Sequence, residues 1–238
     1  ETEYVVTAIK HIFREHLVIQ FNVKNTLPDT ILADVTVIAT PTDDEETGTA
    51  PFEEDFTIPA PALKTNEPGT IYVAFKRSAD SPFVATSFSN VLKFTSKEID
   101  PSTNEPEEGG YEDEYQVEDL ELNGADYIVP AFAGSFDAIW SDTQGDQASE
   151  TMQLSSVKSI ADATEQIAKT LSLQPLDGTD VALSQTTHTL KLYGKTITGG
   201  KVAANVRMAF SAKTGVTMKI ETRADEEGIA ALVVASLS

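Results

Sequence analysis

The 238-residue chain carries 38 acidic and 17 basic side chains, which gives it a formal net charge of −21. This charge argues against nucleic acid as a ligand and against adhesion to an anionic membrane, because both attract basic surfaces. Apolar residues make up 40% of the chain, as in folded proteins. The lack of cysteine excludes disulfides, thiolate metal sites and cysteine nucleophiles.

The acidic side chains are concentrated in the first half. Residues 1–127 contain 26 Asp and Glu against 8 Lys and Arg, whereas residues 128–238 contain 12 against 9. The longest apolar segment in the last part of the sequence, 228–237, is about half as long as a membrane-spanning helix. We therefore expect a cytoplasmic protein in two parts, with no direct membrane insertion.

Residues 1–127 are predicted to form an all-β, immunoglobulin-like sandwich. Apolar and polar residues alternate over 17–24, the period-two pattern of a strand with one buried and one exposed face. Many strands with no helix between them indicate a sandwich. Further strand-like runs cover 4–13, 34–40, 70–76 and 83–95.

An acidic loop is predicted over 98–114, near the end of the sandwich. Between residues 98 and 121 there are 11 acidic and no basic side chains, and prolines and a Gly-Gly pair interrupt the first part of this segment. A calcium loop is not expected, because Tyr111 stands where a bidentate Glu would be needed. Residues 115–122 alternate weakly and are predicted to be the last strand of the sandwich.

Residues 128–238 are predicted to form a smaller α+β platform, an antiparallel sheet with flanking helices. Apolar residues recur every three or four positions over 157–171, which indicates an amphipathic helix, with Ser155 or Ser156 as its N-cap. A final helix is expected to begin at the acidic residues 225–227. Three strands joined by short glycine-containing turns indicate a meander between the helices. They cover 189–193, 201–211 and 215–223.

An aromatic pair is the first candidate for function. Phe136 and Trp140, the only tryptophan, are four residues apart and would share one face of a short helix. Such a pair is often part of a core. The alternative is that part of the indole is exposed and anchors a partner, as tryptophan often does at protein interfaces.

Cations on the meander are the second candidate. Strand alternation directs Lys191, Arg207 and Lys219 away from the apolar face, with Arg223 at the end of the last strand. These side chains could simply form a solvated surface. Next to an exposed tryptophan, they would instead select short acidic and aromatic peptides.

Enzymatic signals are not found in the sequence. Gly194-Lys195-Thr196 lacks the first glycine and the context of a phosphate-binding loop, and the three histidines are too scattered for a metal site. No nucleophile elbow or paired carboxylate in an apolar surround occurs. We expect a protein that is not an enzyme and that has no cofactor and no metal ion.

Six segments spread over the chain form a recognisable set. They are Gln-Phe-Asn-Val-Lys-Asn-Thr-Leu-Pro-Asp (20–29), Leu-Lys-Phe-Thr-Ser-Lys (92–97), Gly-Tyr-Glu-Asp-Glu-Tyr (110–115), Val-Glu-Asp-Leu-Glu (117–121), Phe-Asp-Ala-Ile-Trp (136–140) and Thr-His-Thr-Leu (187–190). Together they resemble the appendage, or ear, domain of the coatomer gamma subunit in the COPI vesicle coat, which is related to clathrin-adaptor appendages. The resemblance covers essentially the whole chain, and the acidic-tyrosine and tryptophan segments are its most specific parts.

The resemblance implies a non-catalytic appendage of a large subunit, peripheral on Golgi membranes and COPI vesicles. Its platform would bind accessory proteins, notably Arf GTPase-activating proteins, around Trp140 and Phe136. In related clathrin-adaptor ears, basic residues on neighbouring platform strands assist in binding partners. In this chain, Arg207 falls at a comparable place, and Lys219 and Arg223 match more loosely. Other coatomer subunits would be partners through the parent chain. A different possibility is that the acidic sandwich contacts another coat subunit or a basic cargo tail.

Overall fold

The computed structural model describes residues 4–45 and 47–238. The chain divides into two compact units, a sandwich unit that ends at Leu122 and a platform unit that runs from Asn123 to Ser238. Tyr127, the boundary expected from the sequence, lies at the end of a 3-10 helix, Gly124–Tyr127, inside the platform unit.

The sandwich unit contains two antiparallel sheets, which confirms the predicted fold class for this half. Its described residues form seven strands: β1 (Tyr4–Ile12), β2 (His16–Asn25), β3 (Thr30–Pro41), β4 (Glu53–Ile58), β5 (Pro68–Lys76), β6 (Thr86–Glu98) and β7 (Tyr111–Leu122). One sheet has the order β1-β2-β5-β4 and the other β3-β6-β7. A sheet with one apolar face must bury it, and here the two sheets bury theirs against each other.

The core of the sandwich follows the alternation seen in the sequence. Leu17, Ile19, Phe21 and Val23 on β2 are all buried, while the residues between them are only partly buried. Aromatic rings join the two sheets: the centroids of Phe75 on β5 and Phe88 on β6 lie 5.1 Å apart. Burial of these large apolar rings stabilises the packing of the two layers.

Two elements of the sandwich differ from the sequence prediction. β4 was not predicted at all, and β7 begins at Tyr111, so the last four residues of the predicted acidic loop 98–114 belong to a strand. Both strands lie at sheet edges within the described chain, and most of their side chains are exposed on both faces. A strand that is exposed to solvent on both faces lacks the alternation of apolar and polar residues from which strands are predicted.

The platform unit is the predicted α+β half, built on an antiparallel sheet. Its described residues form β8 (Ile128–Pro130), α1 (Phe136–Asp142), β9 (Asp146–Leu154), α2 (Ile160–Leu171), β10 (Gln174–Pro175), β11 (Thr187–Thr196), β12 (Lys201–Ser211), β13 (Gly215–Ala224) and α3 (Ile229–Ala235). The sheet order is β10-β11-β12-β13-β9, with β8 beside β11.

The register of the meander confirms the face assignment made from the sequence. Leu190 pairs with Val206, and Val206 with Ile220, so one face carries the apolar residues of all three strands. These residues are buried, and α2 and α3 pack on the sheet. Phe210 is the exception, because it is only partly buried near the end of β12.

Both predicted helix starts in the platform unit are wrong. α2 begins at Ile160, and its N-cap is Ser159, whose hydroxyl accepts a hydrogen bond from the Asp162 N–H at 3.1 Å. Residues 155 and 156 instead lie in a turn that closes where the Val157 N–H bonds to the Leu154 carbonyl. α3 begins only at Ile229, after Gly228 in a left-handed conformation, so the acidic residues 225–227 precede the helix.

Candidate partner-binding site

The short helix α1 positions the aromatic pair. The Ser135 hydroxyl accepts a hydrogen bond from the Ala138 N–H and caps the helix. Lys191 on β11 bonds to Asp137 at 3.0 Å, and this hydrogen bond raises the pKa of Lys191. At the other end, Lys201 on β12 bonds to Asp142 and lowers the pKa of that carboxyl. The helix is thus tied to the sheet at both ends.

Phe136 and Trp140 share a helix face but differ in burial. Phe136 is 2% exposed and packs with Leu176, Tyr193 and Ala203 in a small core on the sheet face opposite the apolar one. Its ring stacks on the indole of Trp140, with centroids 5.4 Å apart and planes at 24°. Phe136 therefore supports Trp140 from below and has almost no surface for a partner, while Trp140 keeps part of its surface in solvent.

Arg223 on β13 holds Trp140 from the side. Its Nη1 donates a hydrogen bond to the Trp140 carbonyl at 2.6 Å, and its guanidinium carbon lies 4.3 Å from the centre of the indole. This is a cation–π contact, and a planar guanidinium stacks on an indole better than an ammonium does. Sequence reasoning placed Arg223 near the cations, but did not reveal this contact.

A small open cavity of about 210 Å³ lies beside the indole. This volume is below the usual range for small-molecule sites and suits a single side chain of a partner. The strand β9, absent from the sequence prediction, supplies one wall. The lining residues are Trp140, Gln147, Ala148, Ser149, Glu221, Thr222 and Arg223.

Arg207 and Lys219 share the sheet face of Arg223, and Glu221 connects them to the cavity. They pair in register across β12 and β13, and residues 219, 221 and 223 point to the same side of β13. The Glu221 carboxylate forms ion pairs with Arg207 and with Lys219, the latter at 3.2 Å. Neither cation lines the cavity itself. Lys219 is four residues from Arg223 along β13, and Arg207 lies opposite Lys219 on β12.

The ionisation of Glu221 follows from these contacts. Partial burial opposes the charged form, but hydrogen bonds from Arg207 and Lys219 outweigh it and lower the pKa of Glu221 below its ordinary value. A carboxyl with a lowered pKa stabilises the fold at neutral pH, and this contribution is lost as the pH falls through the folded-state pKa. At neutral pH the site therefore contains three cations and one carboxylate.

Metal ligands are not gathered at this site within the described residues. No cluster of three or more His, Asp or Glu in the described ranges is placed to hold a metal ion. The helices within those ranges are too short or too polar to traverse a bilayer. The site thus combines a partly exposed indole, a small open cavity and nearby cations on one face of the sheet.

Comparison with known proteins agrees with the two-part architecture. The model described as "Coatomer gamma subunit appendage platform subdomain" matches residues 1–123, and the model described as "Coatomer subunit gamma-1 C-terminal appendage platform" matches residues 125–237. A sandwich unit and an α+β platform unit, each matched by an appendage model, define an appendage domain of a vesicle-coat subunit. The chain belongs to the coatomer gamma appendage family.

Similar proteins from distant organisms have matching segments. The chain is 40% identical over 239 residues to the probable coatomer subunit gamma of Schizosaccharomyces pombe and 39% identical over 241 residues to coatomer subunit gamma-1 of Mus musculus. Coatomer subunit gamma of Dictyostelium discoideum is 36% identical over 239 residues. These alignments cover 99–100% of the chain but only 26% of each relative. The chain thus spans about a quarter of the length of these relatives.

Proposed function

We propose that the chain is the appendage of a coatomer gamma subunit and acts, without catalysis, in the COPI coat of vesicles that move between the Golgi and the endoplasmic reticulum. In this proposal it lies on the cytoplasmic side of Golgi membranes and vesicles, and its parent chain contacts the other coatomer subunits. Membership of the appendage family supports this role, since the curated relatives carry the coatomer gamma name.

The platform site recruits accessory proteins, and an Arf GTPase-activating protein is the partner we propose. The observation that carries this part is the partly exposed indole of Trp140, which contacts the Phe136 ring and the Arg223 guanidinium beside an open cavity. A preformed aromatic anchor lowers the entropy that binding must overcome. With one anchor and a few charges at the rim, we expect a Kd of about a micromolar, roughly −8 kcal/mol.

The test is capture of a purified Arf GTPase-activating protein by the Trp140→Ala variant. We expect capture to fall by at least about tenfold, the effect typical of an interface anchor. The melting temperature should drop by only a few degrees, because Trp140 is partly exposed already and Phe136 stays in place.

The matched control is Phe132→Ala, which removes another aromatic ring from the segment just before α1. Phe132 is 81% exposed and is not among the residues that line the cavity. Phe132→Ala should keep full capture. Undiminished capture by Trp140→Ala would contradict the proposal.

A second candidate function rests on β7 of the sandwich unit. This twelve-residue strand carries six carboxylates and no cation, pairs only with β6 within the described chain, and exposes Tyr111 by 78%. An acidic edge strand of this kind could dock a basic cargo tail or another coat subunit. Binding by this surface would survive Trp140→Ala, which separates it from the platform site.

A further inference from the structure

Glu221 lies on β13 between Arg223, which contacts the indole, and Lys219, which pairs with Arg207 across the strands. Glu221 lines the cavity beside Trp140, yet its carboxylate is engaged by Arg207 and Lys219. Arg223, the third cation, is occupied by the indole and the Trp140 carbonyl. In the free protein, each cation of this face therefore already has a partner.

An acidic ligand anchored at Trp140 would approach the Glu221 carboxylate first, and it would find Arg207 and Lys219 already paired with Glu221. The carboxylate is charged at neutral pH and repels a second carboxylate that enters the cavity. Its ion pairs are also partly exposed, with side-chain exposures of 55% for Arg207 and 45% for Lys219. Exposed ion pairs contribute little to stability, so a ligand can displace them.

We propose that Glu221 is a built-in competitor for acidic ligands and thereby sets the charge selectivity of the Trp140 site. It occupies Arg207 and Lys219 in the free protein, and a ligand carboxylate must take its place to bind them. A carboxylate tethered to an aromatic side chain in the cavity gains a high effective concentration and can do so. A free or untethered acid cannot. This inference rests on the proposed function of the same site and specifies the kind of ligand that it accepts.

The geometry also bounds where the ligand's carboxylate lies. Glu221 and Lys219 are two and four residues from Arg223 along β13, which corresponds to about 7 and 13 Å at the rise of a strand. An extended peptide has a similar rise, so its acidic residue would lie about two to four positions from its aromatic anchor.

The decisive variant is Glu221→Gln, which keeps the shape of the side chain and removes its charge. The probes are two short Gly/Ser peptides with a single Phe, one with Asp three positions to each side and the other with Asn in place of both Asp. Calorimetry should show the Asp peptide binding Glu221→Gln about two- to tenfold more tightly than the unmodified chain, the range expected when a partly exposed charge is removed. The affinity of the Asn peptide should change much less.

Glu150→Gln is the matched control, because it changes the net charge equally. Glu150 is exposed on β9 and pairs with Ile220, so it lies on the opposite face of the sheet from Glu221. It should leave the affinity of both peptides unchanged. An equal gain in Glu150→Gln would show that only the net charge matters and would overturn the inference.

Other outcomes are equally decisive. Weaker binding of both peptides to Glu221→Gln would mean that Glu221 positions the cations for the ligand, which contradicts competition. No binding of the Asp peptide to Glu221→Gln at millimolar concentration would also overturn it. If the Asp peptide binds as expected but the unmodified chain captures no Arf GTPase-activating protein, the proposed partner is wrong and the role of Glu221 stands.

Discussion

Phe136 and Trp140 lie on the same face of α1, but Phe136 is buried and Trp140 is partly exposed. The spacing of four residues places them on one face; the core interpretation is confirmed for Phe136, and the anchor interpretation stays a proposal for Trp140. Which residue faces the sheet depends on how α1 lies on β11 and β12. That orientation goes with contacts between residues more than 50 positions apart, namely the packing of Phe136 on Tyr193 and the ion pairs of Lys191 and Lys201. Sequence spacing alone does not contain it.

Removal of the Phe136 ring tests the division of roles. Phe136→Ala should lower the stability of the platform unit by about 3–5 kcal/mol, the usual cost of deleting a buried phenyl ring. Urea denaturation measures this. Phe132→Ala, which deletes an exposed ring, should stay within about 0.5 kcal/mol. Similar costs for the two variants would contradict a structural role for Phe136.

Among the residues of the site, the sequence predicted the aromatic and basic ones. It missed the polar residues whose place in the site depends on which strands pair. Strand parity put Arg207 and Lys219 on one face, and the structure pairs them directly. The same parity places Glu221 on this face, although the sequence pattern alone does not single it out as part of the site. Gln147 and Ser149 were missed because they belong to β9, which was not predicted.

At the scale of elements, the sequence predicted those that bury one face and failed for those that bury little. β2 and the meander β11–β13 show clean alternation because a core lies on one side of each. β4 and β9 are edge strands of the described chain, with few buried side chains. Their backbone hydrogen bonds to β5 and β13 hold them in place, and such bonds leave no trace in side-chain pattern.

The N-cap of α2 provides a test at this scale. Ser159→Ala removes the hydroxyl that accepts from the Asp162 N–H and should cost about 1 kcal/mol. Ser156→Ala, at a position that the sequence favoured as the cap, should be close to neutral. Thermal or urea denaturation distinguishes the two. A larger loss in Ser156→Ala would show that the helix begins earlier than the structure indicates.

At the scale of the whole molecule, charge is unevenly divided. Most of the net charge of −21 lies in the sandwich half, whereas the platform half is close to neutral. The two candidate functions use these halves differently. One relies on an aromatic anchor with a few local charges, and the other on attraction between an acidic surface and a basic partner.

Ionic strength should therefore separate the two functions. Capture of an Arf GTPase-activating protein through Trp140 should weaken by less than about threefold between roughly 50 and 500 mM NaCl, whereas binding to the acidic β7 surface should fall far more steeply. Titrations with the unmodified chain and with Trp140→Ala measure both. A steep salt dependence that persists in Trp140→Ala would favour the sandwich as the binding half.

The only tryptophan of the chain lies in one of its two units, whereas strands occur in both. Trp140 belongs to the platform unit, so tryptophan fluorescence, excited at a wavelength that the tyrosines do not absorb, reports on that unit alone, while circular dichroism reports on the strands of both. Two-state unfolding requires different probes to give coincident transitions. The unlabelled protein can therefore show, in a single denaturation experiment with two detectors, whether its halves unfold together or one after the other.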